Sequence, residues 1–156
     1  MPFPKQTIDR GDNRGARKHR RGAACVEFAV LSPILLLLFL GIVEVGQFVN
    51  IGHSVSNASR EGARIAARQS TTNVAQVTTA VSDYLTDAYP NLPSSAVQVA
   101  VVNAGSPITA GGLATVATGS PISVQVVLQF DPVRWINGFT FLNGRTVTKA
   151  TVTRRE

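Results

Sequence analysis

No charged side chain occurs between Phe28 and Val43. This gap constrains the chain more than any other feature. With Glu44 tolerated, the apolar run extends to Gly52, about 25 residues, enough to cross a bilayer as a helix rising about 1.5 Å per residue. The flanks differ in charge. Residues 1–22 hold seven Lys/Arg against Asp9 and Asp12, a surplus of +5, while the remaining residues hold eight against seven acids. That bias predicts an N-terminus in the cytoplasm and a C-terminal part outside. A basic tail can bind nucleic acid, but this one has no aromatic interleaving and no recognition motif, so it reads as a topology signal and no nucleic-acid partner is expected.

A chain of 156 residues has room for one small domain beyond such a helix. The predicted fold is α+β: a long N-terminal membrane-spanning helix, then a small head with one covering helix and an antiparallel sheet. The expected divisions are a basic cytoplasmic leader over 1–22, a transmembrane helix over 23–52, its extramembrane continuation over 53–69, and the head over 70–156. Pro33, inside the helix, removes a backbone donor and predicts a kink near Ala29 to Ser32. Gly41 and Gly46 thin the helix surface, which permits another helix to approach or reflects how common glycine is in membrane helices.

Beyond the apolar run, Ala58, Gly62 and Ala66 form one row of small residues, and Ser59, Ala63 and Ala67 the adjacent row. Such rows let a backbone or a sheet pack closely. Arg60, Arg64 and Arg68 form a third row, either a solvated or headgroup-facing stripe or a docking stripe for an acidic partner subunit. Like charges at this spacing repel weakly, with Glu61 offering relief to Arg64. Ser70 to Asn73 is a break rich in capping residues. Val74, Val77, Val81, Leu85 and Ala88 then recur at helical spacing until Pro90.

Past Pro90 the period changes to that of strands. Val97, Val99 and Val101 alternate with Gln98 and Ala100, and Ile122, Val124, Val126, Leu128 and Phe130 alternate with Ser123, Gln125 and Gln129. Asn103 to Ser120 reads as a long loop with a short strand near Ala114 to Ala117. Asn143-Gly144 predicts a hairpin between Phe139–Leu142 and Thr146–Thr153. Trp135, Phe139 and Phe141 either close the end of the sheet or form an exposed interaction patch.

The junction of tail and apolar run carries the functional signal. Arg20-Arg21-Gly22, Val26-Glu27-Phe28-Ala29, Pro33, Leu35 to Leu38, and Gly41-Ile42-Val43-Glu44-Val45-Gly46 together resemble the TadE-like family, the pseudopilins or minor pilins of the Tad (Flp, type IVc) pilus. Ala58 to Ala67 is similar to that family's second block, and Ala150 to Glu156 to its terminal strand. The resemblance is dense over residues 20–68 and thin from 70 to 145. It implies a bacterial inner-membrane protein with an extracytoplasmic head that enters a pilus, and cleavage by a prepilin peptidase between Gly22 and Ala23, keeping the helix. It also implies that Glu27, with Phe28 beside it and Glu44 further along, serves assembly with other pilin or pseudopilin subunits.

Elementary electrostatics gives these acids physical content. A charge within hydrocarbon is costly. Glu27 would lie in the first turn of the cleaved helix, where the helix dipole favours an anion. Cleavage would also create an ammonium at Ala23, and pairing it with the Glu27 carboxylate of a neighbouring subunit would neutralise two costly charges. Glu27 and Glu44 are 17 positions apart, about 26 Å along a straight helix. Both can therefore rest near opposite interfaces, and for Glu44 that placement competes with a part in assembly.

Other classes fit less well. A secretory signal peptide needs a cleavage site after its apolar stretch, and this run is long and holds two glutamates. A lipoprotein signal would place Cys25 after the run instead of before it. No catalytic constellation, phosphate loop or nucleophile elbow stands out. One Cys and the separated His19 and His53 make no metal set. The expectation is a protein that is not an enzyme, with no cofactor, metal or small-molecule substrate. The alternative is an uncleaved bitopic anchor presenting an extracytoplasmic binding domain.

Overall fold

The structure, a computed structural model, describes residues 14–109, 111–135 and 141–156, with side chains in the first helix from Gly22 onward. Residues 1–13 of the expected leader lie outside the described residues, as does Phe139. Two helices and an antiparallel sheet make up the described chain, an α+β fold.

Helix α1 spans Arg14–Ala67, two residues short of the expected end at Gln69. The chain divides into two compact units, the first ending at Leu40 and the second running from Gly41 to Glu156. In the first unit, the apolar side chains of α1 face outward: Phe28, Ile34, Leu36 and Phe39 are each about three-fifths exposed. Pro33 lies within the helix and cannot donate to the carbonyl of Ala29. The Ser32 hydroxyl donates to that carbonyl at 3.4 Å, the kind of local compensation that makes proline tolerable in an apolar helix.

The second unit is the head, and it begins inside α1. Ile51, Val55, Ala58, Ala63 and Ala66 of α1 are buried in one cluster with Val77, Val81 and Leu85 of α2 (Val74–Ala88) and with the sheet. The two small-residue rows are the surface against which these elements pack. At Gly62 the approach is closest: an added Cβ would lie 2.6 Å from a methyl of Val81 and 3.1 Å from one of Val124. Ser59 and Thr151 hydroxyls meet at 2.7 Å. Helix α2 starts as expected from its capping residues. The Asn73 side chain accepts from Ala75 N–H at 2.9 Å, and Gln76 reaches back to the Asn73 N–H, a reciprocal cap.

The sheet comprises β1 (Val97–Asn103), β2 (Ser106–Pro107), β3 (Pro121–Gln129) and β4 (Thr146–Arg154), in the order β2-β1-β3-β4. Ile122, Val124, Val126 and Leu128 on alternate positions of β3 are fully buried, the inward face that the period of two predicted. β3 pairs with β4 through Val124↔Thr151 and Leu128↔Val147.

Three local expectations are corrected. The short strand in the 103–120 loop is Ser106–Pro107, and Gly112–Thr115 is a 3-10 turn seating the buried Leu113. Asn143-Gly144 does form a turn, with Gly144 at φ +69°, but Phe141 and Leu142 before it are not a strand. Their amides are taken by a side chain of α1, and that of Gly144 by Asp131 at 3.1 Å, so β4 pairs with β3 instead. Finally, the sheet end is closed by Phe130, fully buried with its ring edge-on to Phe48 at 5.4 Å. Trp135 and Phe141 are 76% and 67% exposed.

Candidate functional site

Gly22, Ala23, Glu27 and Phe28, the residues expected to serve processing and subunit contact, stand on the part of α1 that belongs to the first unit. Gly22, Ala23, Glu27 and Phe28 are all exposed, and nothing lies within 4 Å of a Cβ built on Gly22. Glu27 makes no hydrogen bond among the described residues. In this isolated chain the carboxyl group is open to a partner.

Glu44 is placed quite differently. It is 7% exposed, and its two carboxyl oxygens accept the backbone N–H groups of Phe141 at 2.9 Å and Leu142 at 3.3 Å. One turn further along the same helix face, Gln47 is also buried. Its side-chain amide donates to the Val133 carbonyl at 2.8 Å, and its carbonyl oxygen accepts from Trp135 N–H at 3.2 Å. Residues at i and i+3 share a helix face, so the pair holds both flanks of the connection between β3 and β4. The Phe141 ring lies against Gly41, 3.4 Å from where a Cβ would stand. Glu44 thus has partners within its own chain; Gln47 was not singled out from the sequence, although a second polar residue three positions after an acid in an apolar helix is a readable signal.

Arg60, Arg64 and Arg68 are all exposed. Arg64 donates to Glu61 from Nε at 2.9 Å and again from Nη2. Those hydrogen bonds, more than the added charge of Arg68, hold the Glu61 carboxyl below its ordinary value. Arg68 stands just past the helix end.

Arg155, part of the terminal stretch Ala150 to Glu156, was given no role of its own from the sequence. It is buried, and its guanidinium donates to the carbonyls of Ala66 (2.7 Å), Arg68 (2.6 Å), Gln69 (3.3 Å) and Thr71 (2.8 Å). Carbonyls at a helix C-terminus lack intrahelical donors, and a cation there is favoured by the helix dipole.

A stretch with open residues at its start and a face of small, packed residues at its end therefore runs through one helix. Residues 22–64 match the family model of TadE-like proteins. The match takes in Gly22, Ala23, Glu27, Phe28, Glu44, Gln47, Arg60, Glu61, Gly62 and Arg64, and leaves α2 and the sheet outside. The match bears out the resemblance to the TadE-like family read from the sequence, over this segment of the chain. No curated protein matched, and no solved structure did. The segment from Gly22 to Ala67 is also long and apolar enough to cross a membrane, with a mean hydropathy of 2.5 over its most apolar window.

Proposed function

We propose that the chain is a pseudopilin or minor pilin of a Tad-type (type IVc) pilus, held in the inner membrane by the first part of α1 with the basic tail in the cytoplasm and the head outside. The observation that carries the reading is the TadE-like match over 22–64, together with an apolar helix whose side chains find no cover in the described chain. A prepilin peptidase cuts after Gly22, where no side chain obstructs its site. The helix then begins at Ala23 and docks onto other pilin subunits through Glu27 and Phe28. Glu44 contributes from within, by fixing the loop that it binds. Arg60, Arg64 and Arg68 offer a cationic stripe to an acidic subunit. A head that fills most of the second unit favours a minor role in priming, tipping or spacing a pilus built from shorter subunits.

N-terminal sequencing of the protein recovered from membranes of pilus-producing cells tests the reading. The expected first residue is Ala23, and Gly22 replaced by a bulky residue should leave the leader attached. An intact Met1 in such cells would instead make the chain a bitopic anchor.

A further inference from the structure

The carboxyl group of Glu44 lies only one residue beyond the uncharged stretch Phe28–Val43. An acid at that point of an apolar helix has lost water and needs replacement partners. It finds them in two backbone N–H groups, those of Phe141 and Leu142. This satisfaction of the acid has a second effect. It brings the loop before β4 to the helix at the level of Glu44, and Gln47 brings the segment after β3 to the same level through Val133 and Trp135.

Two large aromatic side chains are thereby displayed outward at that level. Trp135 is 76% and Phe141 67% exposed. The free face of the helix beside them is apolar as well: Ile42, Val45 and Val49 are 64%, 53% and 52% exposed. In water this combination would be an exposed apolar belt. Tryptophan with apolar neighbours suits the boundary between lipid headgroups and acyl chains, where aromatic belts collect. A purely soluble partner would not explain why the belt stands just where the uncharged helical run ends.

We infer that Trp135 and Phe141 form a membrane foot of the head, seated in the lipid interface at the outer end of the apolar helix, with Glu44 and Gln47 setting its height. The inference rests on the membrane reading of α1 and deepens it, since it names a lipid-contacting surface on the head itself. The partner is the lipid surface itself.

Trp135 is the sole tryptophan of the sequence, so it reports its own surroundings in the unaltered full chain. The protein would be reconstituted into vesicles of phosphatidylethanolamine and phosphatidylglycerol, with and without lipid brominated high on the acyl chain. The expected result is co-flotation with the vesicles, emission shifted to the blue relative to free tryptophan, quenching of most of that emission by the brominated lipid, and poor quenching by acrylamide. Bromine separates lipid contact from a mere change of fold, because Trp135 also borders a shallow depression of about 280 Å³ lined by Tyr89, Leu92 and Val133. Blue-shifted emission without bromine quenching would place the ring in that depression or against a second copy, and overturn the foot. Flotation with red, acrylamide-quenched emission would overturn the foot and leave the membrane reading standing. Failure to float would overturn both. As a second arm, Gln47→Ala should keep flotation and lose bromine quenching, because the segment that carries Trp135 is released from the helix; unchanged quenching would remove Gln47 from the role.

Discussion

The Arg155 guanidinium donates to the Ala66 carbonyl at 2.7 Å, so the end of β4 closes the end of α1. Three further carbonyls, of Arg68, Gln69 and Thr71, share the same cation. Glu156 adds its N–H to the Ala67 carbonyl at 2.9 Å. The turn from α1 into α2 is thus organised by residues more than eighty positions away in the sequence.

Arg155→Ala should leave buried carbonyls without donors and destabilise the head by about 3 kcal/mol, since an unsatisfied buried polar group costs about 1–3 kcal/mol and some of these will find water. Arg155→Lys should fall between, because an ammonium keeps the charge but loses the planar fork. Thermal unfolding of the detergent-solubilised full chain checks both. Equal midpoints for the unaltered protein and the Arg155→Ala variant would show that the four contacts contribute nothing.

Gly62→Ala should also destabilise, in spite of alanine's better helix propensity. Propensity favours alanine by about 1 kcal/mol. Against it, the new methyl would lie 2.6 Å from a Val81 methyl and 3.1 Å from one of Val124, all in the core. Valine has no flexible end to move aside, and overpacking costs about 1–3 kcal/mol. The expected net loss is about 1 kcal/mol, a balance of those two effects. Combining it with Val81→Ala should recover part of the loss of the single variants, a coupling visible in a double-mutant cycle. Strict additivity of the two changes would show that the methyls do not collide.

Much of this packing was legible beforehand. The small-residue rows of Ala58 and Ser59, the stripe of Val77, Val81 and Leu85, and the alternation from Ile122 to Leu128 are periodic, and periodicity reports which face is buried. Contacts that join distant residues through one side chain leave no period. Glu44 looked like a membrane-boundary acid because its partners, the amides of Phe141 and Leu142, are backbone groups that every sequence contains. For the same reason Asn143-Gly144 pointed to a simple hairpin, when the amides before it were already taken by α1. Arg155 belonged to the terminal stretch similar to the family's last strand with its Arg-Glu finish, but its capping role was not legible, since its four acceptors are carbonyls gathered only by the fold. The open residues Gly22, Ala23, Glu27 and Phe28 were visible as a motif, and the task proposed for them involves other molecules.

The Glu61–Arg64 pair gives a pH dependence of known sign. Hydrogen bonds from Arg64 lower the Glu61 carboxyl below its ordinary value of 4.5. A group with a depressed folded pKa stabilises the fold above its unfolded value and loses that contribution as pH falls through the folded one. The pair is exposed, so salt should weaken it. Carboxyl-carbon NMR of the full chain should show Glu61 titrating below 4.5, and Arg64→Ala should move it upward. A Glu61 titration indifferent to Arg64 would contradict the attribution.

The two glutamates of α1 should fail in different ways. Glu44→Ala strands the Phe141 and Leu142 amides within the chain, so it should lower the thermal stability of the isolated protein. Glu27→Ala removes a side chain that makes no hydrogen bond among the described residues, so the isolated protein should melt unchanged. Its membrane insertion should persist, because deleting an acid from an apolar helix makes insertion easier. Processing should survive too, if the acid serves docking and not the peptidase. The effect should emerge only when subunits meet. With the Glu27 carboxylate gone, the Ala23 ammonium of a neighbour would stay unpaired in lipid, and breaking a buried pair in this way costs about 3–5 kcal/mol, less where interfacial water reaches it. The expected phenotype is stable, cleaved protein that no longer co-purifies with other pilus components, in cells with few pili. An acid that only rests near a helix N-terminus would contribute a few tenths of a kcal/mol, too little to disturb assembly. Normal piliation with Glu27→Ala as the sole copy would therefore assign Glu27 to that resting role and move the docking contact elsewhere on the helix.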